Sequence, residues 1–211
     1  MKAIMNRPTV MDHPLIKRHV SELRSTSSQP AEFRNLIRRI AALLAYEATQ
    51  DLRLNPIKIQ TPLQPTTGYE LAETVGIVPI LRAGLGMVDP VLDLLPDAQV
   101  WHLGLYRDES TAQPVKYYSR LPEDCPVDVA LVLDPMLATG GSAIAALQTL
   151  KQWGVKRTKM LSIIASQHGV QRLEQEASDT QIYVCAVDEE LNSNKCIVPG
   201  LGDAGDRIFN T

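Results

Sequence analysis

Cysteine is scarce in this chain: Cys125, Cys185 and Cys196 are odd in number and widely spaced. That pattern excludes a disulfide framework and offers no metal-ligand spacing, and it suits a reducing compartment. Long apolar runs are missing too. Stretches such as Ile40–Tyr46 fall far short of the roughly 20 residues that cross a bilayer, so no membrane partner is expected. Met1–Pro8 holds no apolar core of the signal-peptide kind, and a cytoplasmic location is expected. Charge of one sign is also lacking. With 21 basic against 24 acidic residues the net charge is −3, without the basic excess that a general nucleic-acid binder usually carries, so no nucleic-acid partner is expected. No repeat, low-complexity tract or linker divides the 211 residues, and a single domain over 1–211 is expected.

What is present alternates between helical and strand-like texture. Pro30 opens a segment in which Phe33, Leu36, Ile37, Ile40, Leu43, Leu44 and Ala48 recur at helical spacing, with Arg34, Arg38 and Arg39 on the opposite face. A shorter helix is expected within Leu15–Leu23. Ile57–Thr61 alternates like a strand and runs into Pro62, Pro65, Thr66, Thr67 and Gly68, which predicts a projecting hairpin because proline is confined to edges and turns. From Val75 onward, apolar runs at Gly76–Leu81, Val100–Tyr106, Val129–Leu133, Met160–Ala165 and Ile182–Ala186 are separated by helical stretches. One of these helices runs to Trp153 and stops at Gly154, and another lies around Val170–Ala177. Continuous apolar strands between helices describe an α/β fold with a parallel sheet covered on both faces. Ligands in such folds sit beyond the carboxyl ends of the strands.

The strongest local signal stands at one of those ends. Strand Val129–Leu133 delivers Asp134, followed by Pro135, Met136, Leu137, Ala138, Thr139, Gly140, Gly141 and Ser142 at the entry to a helix. Paired glycines let main-chain N–H groups close on an anion, with the helix dipole in support. Thr139 and Ser142 add hydroxyl donors, and Asp134 is placed to accept bonds from the sugar hydroxyls of a phosphorylated ribose. A bland strand-to-helix turn is the competing account of Thr139–Ser142 alone; the buried strand and the acid before it favour phosphate. The loop lacks the lysine and spacing of a P-loop. Gly84-Leu85-Gly86 lacks the third glycine of a dinucleotide fingerprint. Gly200-Leu201-Gly202-Asp203-Ala204-Gly205 matches its letters but leaves no room for the helix and strand it needs.

Asp134–Ser142 resembles the phosphoribosyl-diphosphate (PRPP) loop of type I phosphoribosyltransferases, in the Asp-Pro form used by uracil phosphoribosyltransferases. Val78–Met87 resembles the pyrophosphate loop of that family, and Tyr106-Arg107-Asp108-Glu109 its second arginine-bearing segment. Ile197–Arg207 is similar to its uracil-recognition loop, and Tyr46–Thr49 fits as well. The resemblance implies a type I phosphoribosyltransferase-like sheet flanked by helices, a β-arm, and a small hood from the N-terminal helices and residues about 188–205. It implies transfer of the phosphoribosyl group from PRPP to uracil, giving UMP and pyrophosphate. Arg82 and Arg107 would receive pyrophosphate, since guanidinium forks match phosphate oxygens. Magnesium would ride mainly on PRPP, near Asp203. Ile197, Gly202, Asp203 and Ala204 would read uracil through the main chain. Asp134, Arg107 and Asp203 are the residues closest to the chemistry on this account, with the proton taken either by Asp203 or by pyrophosphate. A homodimer or higher homo-oligomer is expected, and GTP activates some relatives.

The chain departs from the family pattern in two places. Cys196 stands where a tyrosine is usual, and Ala165-Ser166-Gln167-His168-Gly169 replaces a smaller, proline-containing stretch. Two other accounts compete with the uracil enzyme. An RNA-binding regulator on the same fold would need a basic surface, and a purine transferase would carry a different base-recognition segment. His13, His19, His102 and His168 show no spacing of a metal site or triad, and a structural or surface role is expected for each.

Overall fold

A computed structural model describes residues 7–107, 114–119, 122 and 124–211, and only the backbone pairing of 104–107 and 114–119. Along the chain run β1 (Thr9–Val10), α1 (Pro14–Arg24), α2 (Pro30–Ala48), β2 (Leu54–Gln60), β3 (Pro65–Leu71), β4 (Val75–Pro79), a 3-10 turn (Ala83–Met87) and α3 (Val88–Leu94). Then follow β5 (Gln99–Val100), β6 (Leu103–Arg107), β7 (Pro114–Ser119), β8 (Val129–Leu133), β9 (Met136–Leu137), α4 (Gly141–Trp153), β10 (Arg157–Ser166) and α5 (Gln167–Glu176). β11 (Gln181–Asp188), β12 (Glu190–Leu191), β13 (Ile197–Val198) and α6 (Ala204–Phe209) complete the order.

The central sheet runs β1-β11-β10-β8-β4-β5, all parallel, with β9 added alongside β10. β8 explains why its sequence is apolar without alternation. Val129, Leu131 and Leu133 point into a core shared with α1, α2 and α3, while Ala130 and Val132 point into a second core shared with α4 and α5. Both faces are covered, so neither has a reason to be polar. α2 spans the length read from its periodicity, and Gly154 closes α4 in the left-handed conformation at φ 103°.

One expected strand is two. Trp101 donates its N–H to the Ile77 carbonyl and ends the sheet pairing of β5. The chain then leaves as β6, which pairs antiparallel with β7 in a separate hairpin. The expected arm is β2 and β3, paired antiparallel from Leu54↔Leu71 to Gln60↔Pro65. Almost every residue in both strands is exposed.

Candidate active site

β4 and β8 lie side by side in register, with Pro79 opposite Leu133, so the loops leaving them start at the same level. Ile80 donates its N–H to the Leu133 carbonyl. Gly84 packs so closely on that same carbonyl that a β-carbon would collide with it. Thus the loop carrying Arg82 and the loop opened by Asp134 are neighbours at the carboxyl edge of the sheet.

The Asp134 loop folds as a cradle. Pro135 offers its carbonyl to the Ile163 and Ile164 N–H groups, and β9 pairs with β10 at Met136↔Ile164 and Leu137↔Ala165. Gly140 takes φ 77°, a left-handed conformation that a β-carbon disfavours, and its carbonyl accepts the first bond of α4 from the Ile144 N–H. No side chain among the described residues caps α4. Its first-turn N–H groups border a cavity of about 140 Å³ lined by Asp134 and residues 136–143. A helix end with unclaimed donors beside a small cavity is suited to an anion. Asp134 itself is only partly exposed, and its carboxyl accepts one bond, from the Met136 N–H at 3.2 Å. Burial pushes its pKa up to about 7, against that N–H, which favours the charged form.

Support for the cradle comes from the segment that departs from the family pattern. The Ser166 hydroxyl donates to the Ala138 carbonyl at 2.6 Å and accepts from the Gly169 N–H at 2.9 Å. Gly169 presses on the Leu137 and Ala138 carbonyls with no space for a side chain, and Arg172 donates to the Thr139 carbonyl. Serine and glycine therefore hold the loop from beneath. Ser166, Gly169 and Arg172 carry no local sign of this role, because the loop carbonyls they meet lie some thirty residues away.

The proposed acceptor loop is fastened separately. Ile197 is buried in β13, which pairs with β12. Asp188, at the end of β11, receives both terminal nitrogens of Arg24 at 2.6 and 2.8 Å and the Gly200 N–H at 3.0 Å. Burial alone would raise the Asp188 pKa; Arg24 and the Gly200 N–H outweigh it and hold the carboxyl below its ordinary value. Arg207 donates to the carbonyls of Leu201 and Leu23 at 2.6 Å and of Ser25 at 2.7 Å, and its guanidinium lies 4.2 Å from the centre of the Phe33 ring. Arg24, Asp188 and Arg207 thus tie residues 188–207 to the α1–α2 connection. Of these, only Arg207 lies within Ile197–Arg207, the stretch that resembles a uracil-recognition loop.

Asp203 caps α6, accepting the Asp206 N–H at 2.9 Å, and its neighbour Gly202 is exposed while Ala204 is buried. Arg82 donates to Asp206 at 2.9 Å. Arg107 ends β6, its backbone opposite Pro114; Asp108 and Glu109 lie outside the described residues. Among the described residues no group of three His, Cys, Asp or Glu side chains could hold a metal ion. The one exposed carboxylate of Asp203 fits an ion that arrives on a diphosphate and keeps most of its waters. A larger cavity, about 440 Å³, lies at the opposite end of β4, lined by residues 70–75 and 94–98. It contains no basic residue and does not suit a phosphorylated ligand.

Of the histidines, His13 caps α1 by accepting the Leu15 N–H, and His19 sits beside Glu22. Cys125, Cys185 and Cys196 are free thiols, and burial pushes the Cys185 pKa up to about 12. Among the described residues no helix is long and apolar enough to cross a membrane.

A sequence model described as uracil phosphoribosyltransferase matches residues 10–211. A uracil phosphoribosyltransferase of Roseiflexus sp. (strain RS-1) is 55% identical over 207 residues, which cover 98% of this chain and 100% of that one. Its counterpart from Roseiflexus castenholzii is 53% identical over the same shares. A solved structure from Aquifex aeolicus superposes with a TM-score of 0.90 at 37% identity, covering 95% of this chain and 97% of that one. An adenine phosphoribosyltransferase from Trypanosoma brucei gives a TM-score of 0.54 at 12% identity, over 96% and 90% of the two chains, and shares the fold. The parallel sheet with its two helical layers is therefore the type I phosphoribosyltransferase fold, and with relatives this similar across almost all of its length the chain belongs to the uracil phosphoribosyltransferase family.

Proposed function

We propose that the protein transfers the 5-phosphoribosyl group from PRPP to uracil, releasing pyrophosphate and forming UMP, a step of pyrimidine salvage in the cytoplasm. The observation that carries this reading is the uncapped start of α4 beside a cavity of about 140 Å³, with Asp134 on its wall. The N–H groups of residues 139–142 hold the 5-phosphate, and the Thr139 and Ser142 hydroxyls add to them. Asp134 accepts the ribose hydroxyls, which fixes the sugar relative to the leaving group.

Loss of pyrophosphate leaves cationic character on the anomeric carbon and adds negative charge to the leaving group. Catalysis is then positioning and charge stabilisation. Arg82 and Arg107 receive the diphosphate. Magnesium, when bound, would be held by the diphosphate near Asp203 and would neutralise its charge. Main-chain groups of Ile197 and Gly202–Ala204 meet the edge of uracil, where an amino-substituted pyrimidine would leave polar groups unpaired. Asp203 and the departing pyrophosphate are the two acceptors available to the uracil proton.

A second copy of the chain covers the β2–β3 arm. A two-stranded hairpin is marginal by itself in water, and this one exposes Leu54, Ile59, Leu63, Tyr69 and Leu71. The test of the whole reading is a panel of bases with PRPP and magnesium, run with and without GTP. UMP and pyrophosphate from uracil alone are the expected products; turnover of hypoxanthine or guanine without uracil would overturn it.

A further inference from the structure

We propose that Asp206 is a positioning residue for Arg82, holding its guanidinium across the first turn of α6 so that the arginine meets the diphosphate in one fixed orientation. The inference rests on the reading of Arg82 as a diphosphate ligand. Arg82 Nη2 donates to Asp206 Oδ1 at 2.9 Å, across 124 residues of chain. The side chains are 59% and 49% exposed, so as a stabilising contact the pair is worth little. Its geometry is more specific than a chance surface pair.

Three features fix it. First, the guanidinium lies against the main chain at Gly205: a β-carbon there would stand 3.6 Å from Nη2, 3.9 Å from Nε and 3.2 Å from Asp203 Oδ1. Second, the Asp206 carboxylate is itself held, since Oδ1 also accepts the Thr211 hydroxyl at 3.1 Å, and the Asp206 N–H is taken by Asp203. Third, the turn after Arg82 packs on the same helix, where a β-carbon at Gly86 would be 3.1 Å from Ile208 Cδ1. Loop and helix therefore move together. One aspartate bond uses one of five guanidinium donors, leaving the others for phosphate oxygens. Because Asp203, on the same helix turn, borders the acceptor loop, the contact also ties the diphosphate arginine to the uracil side of the site.

A competing role would make Asp206 a latch that must release Arg82 before diphosphate enters. The two differ in sign. If Asp206 positions Arg82, Asp206→Ala raises the Kd of magnesium pyrophosphate by titration calorimetry, and KM for PRPP, by about three- to fivefold. The KM for uracil at saturating PRPP stays within about twofold, and Asp206→Asn, which keeps an acceptor oxygen, recovers most of the loss. Unchanged or tighter pyrophosphate binding in Asp206→Ala overturns the proposal, the tighter case favouring a latch; an equal loss in Asp206→Asn also overturns it. Arg82→Ala is measured in parallel. If that variant binds pyrophosphate normally, the assignment of Arg82 itself fails, a result separate from any failure at Asp206.

Discussion

Burial around the Asp134 carboxyl pushes its pKa up to about 7, while the Met136 N–H alone favours the charged form. A carboxyl raised in the folded state contributes stability that is complete below its unfolded value near 4 and is lost as pH rises through 7. Each unit is worth about 1.4 kcal/mol. Asp134→Asn removes that cost, so its melting temperature in the absence of ligands should exceed wild type at about pH 8 and match it at about pH 4. The same variant should lose at least tenfold in kcat/KM for PRPP, since an amide replaces one of the two acceptor oxygens by a donor and carries no charge. In the wild type, kcat/KM should climb as pH passes 7, because that ratio reports the free enzyme. Gly140 is the other residue with a defined cost. Alanine at φ 77° loses about 1–2 kcal/mol, and its β-carbon would sit 3.1 Å from Leu173 Cδ1. Gly140→Ala should lower the melting temperature by about 2–8 °C and weaken ribose 5-phosphate binding in calorimetry.

At the scale of elements, Lys159 is the least expected feature. It lies fully buried in β10, where its ammonium meets the Ala48 carbonyl at the end of α2, pairs with Asp51, and stands 5.7 Å from the Tyr183 ring. The helix end, with its partial negative charge, and the carboxylate together make a buried cation tolerable. Burial raises the Asp51 pKa; Lys159 and then Arg157 outweigh it and hold the carboxyl below normal. Asp51 is 42% exposed, so the two halves of the pair are unequal. Asp51→Ala strands a buried cation and should lose about 2–4 kcal/mol in urea unfolding, whereas Lys159→Met strands only a partly solvated carboxylate and should lose less. An equal loss from both would contradict this account. Nothing local in the sequence signals Lys159, since its partners come from the end of a helix more than a hundred residues earlier. α2, the arm and the Gly154 stop were legible because their causes are local: apolar period, proline placement and a left-handed cap. The Asp134 loop was legible for the same reason. Ser166 and Asp188 were not, because each acts on a partner far along the chain.

For the molecule as a whole, acid sensitivity follows from several depressed carboxyls. In Glu73, as in Asp188, burial is outweighed, here by the Arg53 N–H and side chain and by Arg157; Asp128 is lowered by the Thr74 N–H and then by Lys156. Their stability is present above the unfolded values near 4 and is lost as pH falls through the folded ones. Melting temperature should therefore fall steeply below about pH 4. The arm belongs to this scale too. Leu63→Asp, at a tip 94% exposed, should leave the melting of the monomer fold intact while shifting the species seen by sedimentation toward lower mass. An unchanged mass would remove the arm from the subunit contact.

The Arg207 clamp reaches back 184 residues to Leu23, and the Asp188–Arg24 clamp 164. Contacts of such sequence separation form late, because a long loop must close before they reward it. A ribosome-bound chain that has emerged only through α5 would already own the segments of the phosphate cradle, yet not the stretch 197–204 proposed to receive a base. On the proposed assignment, the donor half of the site is therefore synthesised before the acceptor half, and the two can meet only once the last residues have joined the fold.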